Sequence, residues 1–177
     1  LADVVYEYYI EDGVTRFIAI FYGNDATQVG PVRSGRFFDE HIARMYQAFL
    51  VFKYADPRVY DYLKESDLAD YLVVPGNGSC PPFSIGESDR DTYNNIFFNT
   101  TRFKECIARR KSVENTRPSV QGGFFSNVAP ESDQVAEQIF TQYSLDDYNY
   151  WEYIPDKNRY LRYQETESRR NGNGISY

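Results

Sequence analysis

The sequence predicts a mixed α/β domain in which about three helices pack on a largely antiparallel sheet, with an α+β arrangement as the alternative. Two observations lead to this prediction. Two alternating segments at the start flank Asp12-Gly13, a dipeptide that tight hairpin turns favour. From residue 35 onward, apolar positions at helical spacing are followed by a short, continuous apolar run at 48–52, which is typical of a buried strand.

The predicted opening hairpin joins residues 4–11 to residues 14–22. A two-residue turn puts Glu7, Glu11 and Arg16 on the same side of the strand pair. The other side is the predicted core face, and it carries Tyr6, Tyr8, Ile10, Phe17, Ala19 and Phe21. The charged side is either a solvated ion network or, if another element covers it, part of a binding site.

Two helices are predicted in the first half of the chain. The first is expected at 35–46, where the apolar residues recur at helical spacing and Ser34 can cap the first turn. Asp56 followed by Pro57 combines an N-cap residue with the residue preferred at the first helical position, so a second helix is expected there.

The middle of the chain is expected to hold a long loop and a third helix. Residues 75–92 are rich in Gly, Pro, Ser, Asn and Asp, and loops of this length are often functional. The third helix is expected from Thr101 to about Arg110, with Asn99 or Thr100 as its cap.

The last third of the chain is predicted to form strands. A strand is expected at 135–143, and a second hairpin is expected from 150–154 and 159–164. These elements predict a single α/β domain over 1–164. Residues 165–177 are polar and rich in Gly and Asn, and are interpreted as a linker or the start of a further domain.

Composition excludes several classes of function. The net charge of −7 argues against nucleic-acid binding, which needs concentrated positive charge. The single histidine, His41, leaves a His-based metal site or Ser-His-Asp catalysis no second histidine to draw on, and it is interpreted as a solvated residue on a helix face. No metal site and no cofactor are therefore expected. Cys80 and Cys106 can form one disulfide if the chain lies outside the cytoplasm. No stretch is long and apolar enough to span a bilayer.

A stiff turn, Gly30-Pro31-Val32-Arg33-Ser34-Gly35-Arg36, delivers two arginines and a serine to one place. A helix starting near Gly35 would point free N–H groups toward Arg33 and Arg36, which suits a carboxylate or phosphate ligand. The alternative is that both arginines form structural pairs with the chain's many acidic residues.

The order of motifs resembles the YerB-like lipoprotein family, whose N-terminal domain is a bacterial domain of unknown function. The residues that carry the resemblance are Asp3-Val4-Val5-Tyr6-Glu7, Gly13-Val14-Thr15-Arg16-Phe17, the turn at 30–36, Arg90-Asp91, Tyr143-Ser144, Trp151-Glu152-Tyr153 and Arg159-Tyr160-Leu161-Arg162. The resemblance implies an extracytoplasmic protein that a lipid on an N-terminal cysteine, outside this sequence, anchors to the cell membrane. It also implies association with the cell envelope and peptidoglycan synthesis.

One departure from the family pattern bears on function. Where the family continues after Arg-Asp to a Pro-His-Asn element, this chain has Tyr93-Asn94-Asn95-Ile96, so the histidine is missing. We therefore expect a binding domain rather than an enzyme. Its ligand would be anionic or related to peptidoglycan glycans, or an envelope partner protein.

The residues expected to bind that ligand are Glu7, Arg16, Arg33, Ser34, Arg36, Arg90 and Asp91. The catalytic alternative is a cell-wall hydrolase or transferase that uses carboxylates such as Glu7, Glu11 or Asp91. A structural scaffold domain is the second alternative.

Overall fold

The computed structural model describes residues 2–11, 14–76, 80–86, 94–108, 110, 113–120, 128, 131–132, 134, 136–145 and 147–164. The chain divides into two compact units. Unit 1 comprises Leu1–Val4 and Ala19–Gly123, and unit 2 comprises Val5–Ile18 and Phe124–Tyr177. Each unit is therefore assembled from segments that are distant in sequence.

Nine strands and three α-helices are formed by the described residues. The strands are β1 (Val4–Glu11), β2 (Val14–Ile20), β3 (Leu50–Val51), β4 (Leu72–Val73), β5 (Phe83–Ile85), β6 (Ile96–Phe98), β7 (Gln138–Gln142), β8 (Tyr148–Ile154) and β9 (Arg159–Gln164). The α-helices are α1 (Asp39–Tyr46), α2 (Pro57–Glu65) and α3 (Lys104–Ile107), with 3₁₀ turns at Ala69–Tyr71, Thr100–Arg102 and Pro155–Lys157.

The strands form four small sheets rather than one larger sheet. β1 pairs with β2, β3 with β4, β5 with β6, and β7–β8–β9 form a three-stranded sheet in that order. The β3–β4 pair is parallel, and the pairs β5–β6, β7–β8 and β8–β9 are antiparallel. The predicted mixed α/β class with about three helices is confirmed.

The core of unit 1 lies where α1 and α2 meet β3 and β4. Its buried residues are Ala43, Phe52, Val59, Leu63, Leu68 and Leu72. Helix α2 starts as predicted, because the Asp56 carboxylate accepts the backbone N–H of Arg58 at 3.0 Å and Pro57 occupies the first helical position. Two charged residues of α1, Asp39 and Glu40, are also buried.

Glu40 is stabilised as a carboxylate. Its Oε1 accepts the Tyr62 hydroxyl at 2.5 Å and its Oε2 accepts from the Arg44 guanidinium at 3.1 Å. These interactions, led by the Tyr62 hydrogen bond, hold the pKa of Glu40 below its ordinary value. The buried charge in α1 is therefore compensated on both oxygens.

A disulfide between Cys80 and Cys106 lies in a second core cluster of unit 1, with Cα atoms 4.5 Å apart. It links the segment after β4 to α3, and its neighbours Val73 and Phe98 are also buried.

Within the described ranges, no helix has the length and apolarity needed to cross a membrane. Nor do the described His, Cys, Asp and Glu side chains form a group of three or more that could hold a metal ion.

The first helix starts later than predicted. It begins at Asp39, and Ser34 is not its cap: Phe38 occupies the N-cap position without a side-chain hydrogen bond. The reason is that the Gly35 N–H donates to the carbonyl of Tyr54 at 2.8 Å, so this stretch runs beside the chain that follows β3. His41 lies exposed on the helix, as expected.

Other boundaries also differ from the prediction. The predicted loop at 75–92 contains β5, while residues 77–79 and 87–92 of it lie outside the described residues. The third helix is shorter than expected, although Asn99 caps the preceding 3₁₀ turn by accepting the Thr101 N–H at 3.0 Å. The predicted late strand and second hairpin are confirmed as β7, β8 and β9. Residues 165–177 lie outside the described residues.

Candidate functional site

The polar residues of unit 2 converge on the carboxylate of Glu7. Its Oε1 accepts from the Thr15 hydroxyl at 2.8 Å, and its Oε2 accepts from Asn149 Nδ2 and Arg162 Nε, each at 2.9 Å. A second Arg162 nitrogen, Nη2, also binds Oε1. The side chains of Glu7 and Arg162 are only 10% and 21% exposed, so this ion pair is largely shielded from water.

Strand pairing explains why these groups share one face of the β7–β8–β9 sheet. Asn149 lies opposite Gln164, and Trp151 lies opposite Arg162. Because side chains alternate along a strand, all four project from the same face. Gln164 Oε1 accepts from Arg162 Nη2 at 3.1 Å and so helps to orient the guanidinium toward Glu7. We call Glu7, Thr15, Tyr143, Asp147, Asn149, Arg162 and Gln164 the polar cluster.

The predicted core position of Phe17 is wrong. Its side chain is 54% exposed, and the Arg162 guanidinium lies over its ring at 5.3 Å from the centroid. The partner of Glu7 is thus Arg162, contributed by a strand 155 residues away. Arg16 lies half-buried on β2. Glu7 is therefore covered, but the predicted faces of the hairpin are wrong. Thr15 and Phe17 contact Glu7 and Arg162, whereas Arg16, which lies between them on β2, projects to the other side and does not share a side with Glu7.

Asp147 is the least satisfied member of the polar cluster. It is 1% exposed, and neither carboxylate oxygen has a hydrogen-bond partner among the residues that the structure describes. Burial, and then the charge of Glu7, raise the pKa of Asp147 above its ordinary value, while Arg162 and the nearby Gln164 amide lower it. The Gln164 amide lies close but does not reach hydrogen-bond geometry with either oxygen. Burial likewise raises the pKa of Tyr143.

The opposite face of the same sheet carries a row of aromatic rings. Phe140 pairs across the strands with Tyr150, and Tyr150 with Tyr163. Their ring centroids are 5.6 Å and 5.0 Å apart, with interplanar angles of 24° and 14°. Tyr148 lies 5.8 Å from Phe140. We call these four residues the aromatic ladder; it ends at Phe140, which is 63% exposed.

The arginine turn of unit 1 bridges two backbone segments. The Val32 N–H donates to the carbonyl of Ile96 in β6 at 2.8 Å, and the carbonyl of Arg33 accepts from Lys53 N at 2.9 Å. A Cβ on Gly30, whose φ is +152°, would come within 2.8 Å of the Phe97 ring. Glycine is therefore required at the start of this turn.

The two arginines of the turn have different partners. The Arg33 guanidinium donates to Asn94 Oδ1. Arg36 Nη1 donates to the carbonyl of Gly35 at 3.1 Å, and the backbone N–H of Arg36 donates to Asp39 Oδ2 at 2.7 Å. Asp39 thus accepts from a backbone N–H that the sequence analysis expected to be free for an anionic ligand.

The predicted site residues are distributed over both units. Arg33, Ser34 and Arg36 lie in unit 1, and Glu7 and Arg16 lie in unit 2. Arg90 and Asp91 lie outside the described residues.

The residues that the sequence interpretation missed are Phe140, Tyr148, Tyr150, Tyr163, Asp147, Asn149 and Arg162. Strict alternation of Tyr with Asn and Trp over 148–151 was a usable signal for the two faces of β8. No local signal links Glu7 to Arg162, because that contact depends on how distant segments pack.

Comparisons with known proteins place the chain in a family. Residues 1–114 match the family described as "Protein of unknown function (DUF3048) N-terminal domain". The crystal structure of YerB protein from Bacillus subtilis is similar in fold, with a TM-score of 0.69 and 19% sequence identity. That similarity covers 99% of this chain and 59% of the YerB chain, so the chain spans about three fifths of YerB's length.

No curated protein matches the chain. The family match covers well over half of the 177 residues, and the structural similarity extends over nearly all of them. The chain therefore belongs to the DUF3048 N-terminal domain family and is a YerB-like domain of unknown function.

Proposed function

We propose that this chain is a non-catalytic, extracytoplasmic binding domain of the bacterial cell envelope that recognises a glycan strand related to peptidoglycan. The observation that carries the proposal is the aromatic ladder. It crosses all three strands of the β7–β8–β9 sheet and ends at a phenylalanine that is mostly exposed.

The chemistry of the ladder suits sugar rings. A pyranose has apolar C–H faces and hydroxyl edges, and tyrosine combines an aromatic ring with a hydroxyl. β7 is an edge strand of its sheet, so Phe140 stacks on Tyr150 from one side only. Gln138, Gln142 and Glu152 share this face by alternation and add hydrogen-bonding groups beside the rings.

The carboxylates of the polar cluster do not support the alternative, a cell-wall hydrolase or transferase. Glu7 is held by donors from Thr15, Asn149 and Arg162, which occupy both of its oxygens. Asp147 is buried too completely to reach a substrate. A general acid must lie within hydrogen-bond reach of the group it protonates.

The disulfide supports an extracytoplasmic location. Disulfides persist in oxidising compartments and are rare in the bacterial cytoplasm, where thiols are kept reduced. Cys80 and Cys106 are both buried and bonded to each other. Attachment to the membrane through an N-terminal lipid is part of the proposal, since the resemblance to YerB-like lipoproteins implies it.

The ladder predicts the effect of Phe140→Ala. We expect this variant to bind purified peptidoglycan and soluble peptidoglycan fragments about fivefold more weakly, because a lost ring contact is worth roughly 1 kcal/mol. Ile139→Ala is the matched control: Ile139 is the adjacent residue, is 42% exposed and projects from the opposite face. Sedimentation with insoluble peptidoglycan and calorimetry with soluble fragments measure both variants.

Two results would contradict the glycan proposal. One is equal binding by the wild-type protein and the Phe140→Ala variant. The other is an equal loss in the Phe140→Ala and Ile139→Ala variants, which would indicate a general effect of destabilising β7. Circular dichroism of both variants tests whether they retain the fold.

The arginine turn is proposed as a second contact, for the carboxylates of the peptidoglycan peptide stems. Arg36 is the better candidate for this contact. The bond described for its side chain goes to the carbonyl of the adjacent Gly35, whereas the Arg33 side chain is bonded to Asn94 in another segment. We expect Arg36→Ala to weaken peptidoglycan binding while changing stability by less than about 0.5 kcal/mol. Arg33→Ala, which removes the bond to Asn94, should instead cost about 1–2 kcal/mol.

Binding assays and urea denaturation of the two arginine variants separate these roles. If Arg36→Ala leaves binding unchanged and lowers stability as much as Arg33→Ala does, the turn is structural. The contribution of Ser34 is tested in the same way with Ser34→Ala, and that of Arg90 and Asp91 with alanine variants of each.

A further inference from the structure

The polar cluster of unit 2 contains buried oxygen atoms that its own donors do not reach. Thr15, Asn149 Nδ2 and Arg162 all donate to Glu7. Within the described part of the chain, three buried oxygens of the cluster have no hydrogen-bond partner: Asp147 Oδ1, Asp147 Oδ2 and Asn149 Oδ1. Buried acceptors are nearly always satisfied in folded proteins, so a donor has to be supplied at this point.

The charges of the cluster point to the same conclusion. Glu7 and Arg162 form the ion pair, and an ionised Asp147 would add a second negative charge beside Glu7. Burying an unpaired carboxylate is far more costly than burying a neutral carboxylic acid. A proton on Asp147 removes the excess charge and creates an O–H donor in the same step.

We propose that Asp147 is a pH-sensitive element of unit 2, which is strengthened when this carboxyl is protonated and weakened when it ionises. This role is separate from ligand binding, because Asp147 is buried and its strand neighbours Tyr148 and Tyr150 carry the ladder on the opposite face. It does not depend on the proposed function.

The charged and titratable groups around Asp147 set the sign of the effect. Glu7 on β1 repels the ionised form, Arg162 on β9 attracts it, and Tyr143 lies in the turn before Asp147. Tyr143 is neutral in the acidic to neutral range, and burial raises its pKa further. The pKa of Asp147 is raised in the folded state, so the protonated carboxyl stabilises the folded protein relative to the unfolded chain. This stabilisation is complete below pH 3.8, the ordinary pKa, and is lost as the pH rises through the folded-state pKa.

Trp151 provides a probe for this unit. It is the single tryptophan of the chain and lies on β8, four residues from Asp147. Urea denaturation followed by Trp151 fluorescence between pH 4 and pH 8 compares the wild-type protein with Asp147→Asn, which is nearly isosteric and cannot ionise. Asp156→Asn, at an exposed site in the same unit, is the matched control.

We expect Asp147→Asn to raise the urea midpoint most at pH 8, with the difference from wild type shrinking as the pH falls. Asp156→Asn should follow the wild-type pH profile. A ¹³C titration of the carboxyl carbons in the wild-type protein provides a second measurement that needs no variant. There the Asp147 midpoint should lie above 3.8, the ordinary pKa of an aspartate side chain.

Three outcomes would overturn the proposal. The difference between Asp147→Asn and wild type could be independent of pH. The ¹³C midpoint of Asp147 could lie at or below the ordinary aspartate pKa of 3.8. Calcium chloride could raise the midpoint of the wild-type protein but not of Asp147→Asn, which would make Asp147 a cation ligand.

Discussion

Replacing Arg162 with methionine is expected to destabilise the protein by about 3 kcal/mol, because it leaves the Glu7 carboxylate shielded from water without a counter-charge. Methionine keeps much of the side-chain volume against Phe17, so the loss is mainly electrostatic. Urea denaturation at pH 7, followed by Trp151 fluorescence, measures the change in the free energy of unfolding.

The double variant Glu7→Gln/Arg162→Met tests this explanation. A neutral glutamine needs no counter-charge, so the double variant should recover at least half of the stability that Arg162→Met loses. If the double variant is instead as unstable as the sum of the two single variants, the ion pair is not the cause. Lost packing around Arg162 would then explain the effect.

Removing the disulfide is the second large expected effect. The Cys80→Ser/Cys106→Ser variant should be less stable by about 3–4 kcal/mol, since the bond closes a loop with a sequence separation of 26 residues and the loss of that constraint favours the unfolded chain. Both side chains are buried, so the new hydroxyls add to the loss. Thermal denaturation with and without a reductant measures it.

The reductant provides the control. It should lower the melting temperature of the wild-type protein toward that of the Cys80→Ser/Cys106→Ser variant and leave the variant unchanged. Mass spectrometry of alkylated protein recovered from the native host would test the compartment directly. Two alkylated cysteines in the untreated protein would falsify the proposed extracytoplasmic, oxidised state.

Local signals in the sequence were sufficient for much of the fold. The Asp56 cap with Pro57 located α2, and Asn99 located the turn before α3. The second hairpin was also predicted, because alternation and a proline-containing turn are both local features. Ser34 failed as a cap because the Gly35 N–H bonds to Tyr54, a competing tertiary contact.

The candidate sites were harder to predict because their contacts are long-range. The alternation of the hairpin put Glu7 on one side with Glu11 and Arg16, so its ion network was expected within the hairpin. The actual partner comes from β9, and Phe17 is exposed beneath it. The sequence of the β1–β2 hairpin contains no signal that β9 packs against Glu7.

The discontinuous composition of unit 2 has a consequence for the order in which the chain folds. The segment Val5–Ile18 is synthesised before the rest of unit 2, and Glu7 meets Asn149 and Arg162 only after more than 140 further residues exist. Such a contact closes a very long loop, which slows folding. A fragment ending at residue 114, the limit of the family match, would present the opening hairpin without its covering sheet and expose a strand pair that is prone to aggregate.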